Sequence, residues 1–192
     1  MSKHNSKSRT AFFSFLVAVT IVALGIVVLY FGHNLQPKVP TGPVALPDHL
    51  IIPSIKVNAL IQYVGTDAAG RMGLPTNFTD VAWYKYGPKP GDPGSAVIAG
   101  HLDTVVSNIA VFMDLAKLKP GDDVYIQDKN GQKIHFKVTD KELYDDAKAP
   151  VAKIFDQTGT TARLNLITCD GVWNEAARNY SQRLIIYTER VQ

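Results

Sequence analysis

The stretch KPGDDVYIQDKNGQKIHFKVTDKELY, residues 119–144, decides the fold class. Pro120-Gly121 predicts a turn that leads into a strand. Asn130-Gly131 is a strong hairpin signal, so the residues after it are predicted to form the partner strand. A hairpin in the middle of the chain favours a fold built from β-strands.

Further strand-like segments lie on both sides of this hairpin. HLIIPSIKVNALIQYVG (49–65) predicts two strands that join near Asn58, while SAVIAGH (95–101), RLNLITC (163–169) and RLIIYTE (183–189) predict one strand each. Residues 111–118 carry apolar residues at helical spacing and predict a short helix, and residues 70–79 predict a loop or a short helix. Many short strands with Gly/Pro turns favour an all-β barrel or sandwich.

The N-terminal region has a different pattern. AFFSFLVAVTIVALGIVVLYFG, residues 11–32, contains no charged residue, and about 20 apolar residues are enough to cross a bilayer. Basic residues in segment 1–10 predict a cytoplasmic tail and a folded part outside the cell membrane. Residues 33–47 are rich in proline and predict a tether. The folded domain is expected to run from Asp48 to the end, at residue 192.

A cleavable signal peptide is the competing interpretation of residues 11–32. Its apolar region usually has about 7–15 residues and ends in small residues around a cleavage site. The apolar run here is longer, and HNLQPKVP follows it without such a site. The pattern therefore favours an uncleaved membrane anchor.

Composition excludes several classes of protein. The net charge is +3, and part of the surplus lies in the N-terminal tail, so we expect no nucleic-acid partner. The single cysteine excludes an intramolecular disulfide bond. No histidine lies at metal-ligand spacing from Cys169, and the adjacent Asp145 and Asp146 are too few to predict a calcium site. We expect no metal ligands and no cofactor.

Three residue types that suit acyl transfer to a thiol are predicted to lie at strand ends: Cys169, His101 and Arg183. A thiolate is a nucleophile, and a nearby cation favours it over the neutral thiol. A histidine can donate a proton to a leaving amine. A fixed cation can stabilise the oxyanion of a tetrahedral intermediate.

Spacing alone leaves structural interpretations open for all three residues. A lone cysteine on an apolar strand is commonly a core residue, a histidine after glycine commonly lies in a turn, and an arginine at a strand end is commonly solvated. Other residues of the same types compete with them, namely His135, Arg163, Arg178 and Arg190. His135 lies within KIHFKV, where a structural strand position is the better interpretation.

At this point the sequence resembles the sortase family, from about Leu50 to Glu189. IIPSIKVNALIQYVG resembles the first two strands of that family, and VAWYKYGPKPGDPGSAVIAGHLDT resembles the segment that leads to its catalytic histidine, here His101. LNLITCD resembles the strand that carries the nucleophile, here Cys169, although Asn165 replaces the usual threonine. RLIIYTE resembles the final strand, which begins with the catalytic arginine, here Arg183.

The resemblance implies an eight-stranded closed barrel and a cysteine transpeptidase. It implies an LPxTG-like sorting signal on secreted proteins as substrate, and an amine acceptor such as a peptidoglycan precursor or a pilin. By the same analogy Thr168 lines the substrate groove, and Asp103 either orients His101 or caps its loop. The segment with Trp83, Tyr84 and GPKPG (87–91) is most similar to class F, in which some members place the arginine earlier. Arg178 therefore stays an alternative to Arg183.

Other families fit less well. L,D-transpeptidases also use cysteine and histidine, but their His-Gly-Cys type of motif is absent around Cys169. Papain-like hydrolases carry the cysteine before the histidine, which reverses the order seen here. The alternative of a different kind is a membrane-tethered binding module on a sortase scaffold without catalytic activity.

Overall fold

The computed structural model of the chain describes residues 45–103 and 110–191. Eight strands dominate this part of the chain. They are β1 (Pro47–Ile52), β2 (Val57–Val64), β3 (Val81–Tyr84), β4 (Gly94–Ala99), β5 (Asp123–Asp128), β6 (Lys133–Asp145), β7 (Ala162–Asn174) and β8 (Asn179–Arg190). Short 3-10 helices span Pro53–Ile55, Leu115–Lys117 and Asp146–Lys148, and the α-helix α1 spans Val151–Ile154.

The strands close into one barrel in the order β1-β2-β3-β4-β7-β8-β6-β5, with β5 paired back onto β1. Two neighbouring pairs are parallel, β2 with β3 and β4 with β7, and the others are antiparallel. The eight-stranded closed barrel that the family resemblance implies is therefore confirmed.

The central hairpin forms as predicted. β5 pairs antiparallel with β6, with Ile126 opposite Ile134, and residues 129–132 make the turn between them. Gly131 adopts a φ of 78°, a left-handed conformation that glycine tolerates without steric cost. Alternate residues of β5 and of residues 133–138 of β6 are buried, which matches the period of two of a half-buried strand.

The barrel interior holds the main hydrophobic core. Fully buried large side chains come from nearly every strand, among them Leu50, Ile52, Ile98, Ile126, Phe136, Leu164, Leu166 and Ile186. Every residue of β4 is buried, which explains why SAVIA appears in the sequence as a continuous apolar run.

Several local predictions need correction. β3, which has only four residues, was not predicted as a strand from its pattern. The join between β1 and β2 lies at residues 53–56, whereas Asn58 belongs to β2. Residues 111–118 form a turn followed by the 3-10 helix Leu115–Lys117 instead of the predicted helix, because Phe112, Leu115 and Leu118 enter the core at a spacing of three.

The predicted membrane anchor, residues 11–32, lies outside the described residues. Within 45–103 and 110–191, no helix is long and apolar enough to cross a membrane.

Candidate active site

Cys169 and Arg183 lie opposite each other on neighbouring antiparallel strands. Their Cα atoms are register partners in the β7–β8 pair. Both were expected at strand ends, and this expectation is wrong, because β7 continues to Asn174 and β8 already begins at Asn179. Cys169 and Arg183 therefore lie within their strands, and beyond this pair the β7–β8 hairpin continues as an extension to its turn.

The extension is separated from the regular ladder by an irregularity. Paired residues continue to Asp170 and Gln182, the register then shifts, and pairing resumes at Trp173 and Tyr180. Gly171 adopts a φ of 83° at this shift. Residues 171–178 are exposed, so this segment has no buried face that would have marked it as strand in the sequence.

Parallel pairing of β4 with β7 brings His101 to the same end of the barrel. Ala99 is the register partner of Ile167, and His101 and Cys169 each follow two residues later. The backbone N–H of Gly100 donates to the Ile167 carbonyl at 3.1 Å. The Thr168 hydroxyl donates to the Gly100 carbonyl at 2.9 Å. These two bonds extend the strand contact as far as the residue before His101.

The His101 ring is held by residues of the loop between β2 and β3. Its Nε2 lies 3.2 Å from the Pro75 carbonyl oxygen, and its ring centroid lies 4.9 Å from that of Phe78. Because a carbonyl oxygen only accepts, Nε2 must carry the proton of this hydrogen bond.

The Cys169 thiol is half-buried, and burial is the largest influence on its pKa. Burial raises the pKa above its ordinary value, and the nearby Arg183 guanidinium lowers it. The carboxylates of Asp146, Asp103 and Asp170 raise it again, so the net shift is upward. At neutral pH the thiolate is therefore a minor species.

Arg183 is anchored by four hydrogen-bond acceptors. Its Nη1 donates to the carbonyl oxygens of Gln182 at 2.7 Å and Tyr180 at 3.0 Å. Its Nη2 donates to Asn179 Oδ1 at 2.7 Å and forms an ion pair with Asp146 Oδ1 at 2.9 Å. The side chain is 20% exposed, so the guanidinium is fixed at the rim of the site.

The competing residues lie elsewhere or have other partners. Arg178 is exposed in the turn of the β7–β8 hairpin, with a φ of 48°. Arg163 pairs with Asp156 and Glu189, and Arg190 donates to the Gly91 carbonyl. His135 pairs with Asp123 at 2.7 Å and stacks on Tyr125, so it occupies a structural position on the strand surface.

The two further residues predicted at the site have definite partners. Thr168 is only 2% exposed, and its bond to Gly100 holds β7 against β4, while the substrate contact predicted for it stays a prediction. Asp103 accepts a hydrogen bond from the Tyr180 hydroxyl. This contact supports a role for Asp103 in holding its loop, and the predicted effect on His101 stays a prediction.

No cluster of three metal-ligating side chains occurs in residues 45–103 and 110–191. The adjacent carboxylates noted in the sequence have cationic partners instead. Asp145 pairs with Lys148 at 2.8 Å, and Asp146 pairs with Arg183 at 2.9 Å.

Sequence reasoning missed Tyr180, Asn179 and the contact of Asp146 with Arg183. All three depend on the hairpin extension of β8 and on its pairing with β6, which leaves no periodic signal in the sequence.

The barrel end thus carries a thiol, an imidazole and a guanidinium. A thiol can form a thioester with an acyl group, and an imidazole can transfer the proton that a leaving amine needs. A fixed guanidinium can stabilise negative charge on the carbonyl oxygen. The arrangement therefore suits acyl transfer through a covalent intermediate.

Comparison with solved structures places the fold among sortases. The chain is similar to a lid mutant of sortase A from Corynebacterium diphtheriae, with 23% identity, a TM-score of 0.59, and coverage of 79% of this chain and 73% of that one. It is also similar to sortase C-1 from Actinomyces oris, with 24% identity, a TM-score of 0.58, and coverage of 82% of each chain. Sortase A from Listeria monocytogenes matches at 24% identity and a TM-score of 0.56, over 77% of this chain and 88% of that one.

At these identities the structural likeness establishes the fold alone, and the assignment to class F stays a prediction. A search of curated proteins finds no match. The family itself is established by sequence, because the model of the sortase domain matches residues 50–191, which is most of the chain. The chain therefore belongs to the sortase family of cysteine transpeptidases.

Proposed function

We propose that this protein is a membrane-anchored transpeptidase that cleaves an LPxTG-like sorting signal on secreted proteins and transfers them to an amine. The acceptor is a cell-wall precursor or a pilin. The observation that carries this proposal is the register of Cys169 with Arg183, next to the parallel strand that leads to His101.

In the first half-reaction the Cys169 thiolate bonds to the carbonyl carbon of the scissile peptide, and an electron pair moves to the oxygen. The Arg183 guanidinium stabilises that oxyanion. The carbonyl then re-forms, the C–N bond breaks, and the leaving amine takes a proton from the His101 imidazolium. The products are a thioester on Cys169, a neutral imidazole and a free amine.

The second half-reaction reverses the proton transfer. An acceptor amine attacks the thioester and loses a proton to neutral His101, the C–S bond breaks, and the thiolate is regenerated. Because burial raises the pKa of Cys169, a minor thiolate–imidazolium population carries the reaction. Activity against pH should be bell-shaped, and both limbs belong to the coupled pair of groups.

The decisive experiment is incubation of the full-length chain with an LPxTG-type peptide and an amine. Mass spectrometry should find a thioacyl adduct on Cys169 and a ligated product. Both should be lost in Cys169→Ala, and acylation should collapse in His101→Ala. His135→Ala is the matched control, because His135 pairs with Asp123 away from the site and should leave turnover unchanged.

An adduct that survives in Cys169→Ala, or full turnover in His101→Ala, would contradict this mechanism. Peptide binding without any adduct in the wild-type chain would favour the alternative of a non-catalytic binding module.

We further propose a topology in which residues 11–32 cross the membrane, with the N-terminus in the cytoplasm and the barrel outside. The proposal is supported by the apolar run and by the basic residues that precede it. A membrane-impermeant thiol reagent should label Cys169 in intact cells once any wall barrier is opened. Labelling that requires a permeabilised membrane would reverse the orientation.

A further inference from the structure

Within residues 45–103 and 110–191, the hydrogen bonds of Arg183 leave one of its N–H donors without an acceptor. A guanidinium has five N–H donors, two on Nη1, two on Nη2 and one on Nε. Both Nη1 hydrogens have backbone carbonyl acceptors, and both Nη2 hydrogens have side-chain acceptors, Asn179 and Asp146. In this described part of the chain, Nε–H is the donor that has no acceptor.

The two side-chain acceptors are also bonded to each other. Asn179 Nδ2 donates to Asp146 Oδ2 at 2.9 Å, while the other carboxylate oxygen of Asp146 holds Arg183. Asn179 is the first residue of β8, and Asp146 begins the 3-10 helix that follows β6. The Arg183 fork is thus fixed from two elements, and its terminal nitrogens cannot turn toward a ligand without breaking these bonds.

We propose that Asp146 and Asn179 are positioning residues, which fix the guanidinium of Arg183 so that Nε–H is the donor offered to the substrate carbonyl. This inference rests on the proposed function, since it assigns the donor for that reaction. A single directed hydrogen bond is enough for an oxyanion donor, and misplacement of a catalytic group by about 1 Å is costly.

Asp146 has two opposing effects on the site. It holds the Arg183 guanidinium in place, but its negative charge disfavours the Cys169 thiolate. Arg183 lowers the pKa of Cys169, and Asp146 raises it. The other titratable groups that act on the thiol are Asp103, Asp170 and Tyr180, and His101 lies at the same end of the barrel. Neutralising Asp146 should therefore increase the thiolate population while it loosens the arginine.

These two opposing effects give a test, because a merely structural role of Asp146 would not produce both of them. In full-length protein, Asp146→Asn should shift the pH midpoint of Cys169 alkylation downward. The same variant should form the thioacyl adduct with an LPxTG-type peptide about tenfold more slowly, with little change in KM. Asp146→Glu keeps the charge and should recover part of the rate.

Asp145→Asn is the matched control. Asp145 is the adjacent residue and pairs with Lys148 instead of Arg183. It is not among the groups that shift the thiol, so its variant should keep both the alkylation midpoint and the adduct rate. Asn179→Ala also weakens the anchoring of Arg183, but it removes no charge. The rate of adduct formation should fall in this variant as well.

An unchanged or faster adduct rate in Asp146→Asn, with active wild-type protein, would overturn the inference. A faster rate would mean that Asp146 competes with the substrate for the Nη2 donor. If the wild-type chain forms no adduct at all, the proposed function fails instead. The alkylation midpoint, which needs no peptide, still decides whether Asp146 opposes Arg183 at the thiol.

Discussion

The Tyr180 hydroxyl donates a hydrogen bond to the Asp103 carboxylate, and this contact joins two segments that flank the candidate site. Asp103 lies two residues after His101, and Tyr180 lies in the hairpin extension that follows Cys169. Tyr180 also packs edge-on against Trp173, with ring centroids 5.2 Å apart. The loop after His101 is therefore tied to the hairpin extension after Cys169.

Tyr180→Phe should change how stability depends on alkaline pH. The hydrogen bond to Asp103, together with burial, raises the pKa of Tyr180 to about 12, whereas an unfolded tyrosine has a pKa of about 10. A raised folded-state pKa contributes stability below pH of about 10, and that contribution is lost as the pH rises to about 12. Urea unfolding at pH 8 and pH 11 should show a smaller alkaline loss in the variant. Tyr86→Phe is the control, because Tyr86 is exposed. An identical pH dependence of stability in the wild-type protein and in Tyr180→Phe would refute the role of the hydrogen bond to Asp103.

The reactivity of Cys169 should titrate above the ordinary thiol pKa of about 8.5. Iodoacetamide labelling follows the thiolate, and the single cysteine makes the labelled mass unambiguous. Asp103→Asn should lower the midpoint, because it removes a negative charge near the thiol. Arg183→Ala should raise it, because it removes the cation. Shifts of the same sign in both variants would contradict the electrostatic account.

Arg183→Lys should lower the adduct rate by about 10²–10³, although the positive charge is kept. Lysine lacks the planar fork that Arg183 uses to bind Asn179, Asp146 and the backbone. Single-turnover measurement of thioacyl formation tests this. Arg178→Lys is the control and should change the rate by less than about twofold, because an exposed turn residue tolerates such a change. A larger loss at Arg178 would assign to Arg178 the catalytic role that we propose for Arg183.

Thr168→Val should destabilise the barrel by about 1 kcal/mol, because it removes the hydrogen bond to the Gly100 carbonyl without much change in shape. Thr168→Ser keeps the hydroxyl and should retain this bond. Denaturant unfolding measures the stability, and peptide kinetics separates the two roles of Thr168. A lower kcat with unchanged KM would indicate that Thr168 positions β4 and His101, whereas a raised KM would support the predicted substrate contact.

Gly100→Ala should cost roughly 1–3 kcal/mol of stability, as overpacking of a tight core does. A Cβ at this position would lie 2.5 Å from Phe112 Cδ2 and 2.8 Å from Val111 Cγ1. Phe112 is fully buried and cannot move aside. The double variant with Phe112→Leu should lose less stability than the sum of the single losses. Strict additivity in urea unfolding would show that the two residues do not clash.

Local signals predicted the elements whose pairing is local. The β5–β6 hairpin follows from Asn130-Gly131 and from apolar alternation, and both act within a few residues. β3 lacked such a signal because it has four residues and gains its place from β2, to which it pairs in parallel. Its formation is a tertiary effect that residue pattern does not encode.

The sequence indicated which types of residue form the candidate site, but it did not indicate how they are arranged. The Thr168–Gly100 contact joins residues 68 positions apart, and only the parallel register of β4 and β7 creates it. The anchoring of Arg183 by Asp146 depends likewise on how the end of β6 meets the start of β8. Contacts of this kind depend on sheet order, which single-sequence periodicity does not specify.

The half-buried state of Cys169 also affects how the protein survives in an oxidising environment. Peroxide attacks the thiolate, so a raised thiol pKa slows formation of a sulfenic acid at neutral pH. The chain has no second cysteine that could resolve such an acid as an internal disulfide bond. The protonated thiol of Cys169 is therefore protected against this oxidation, and substitutions that remove the nearby carboxylates should make it react faster with peroxide.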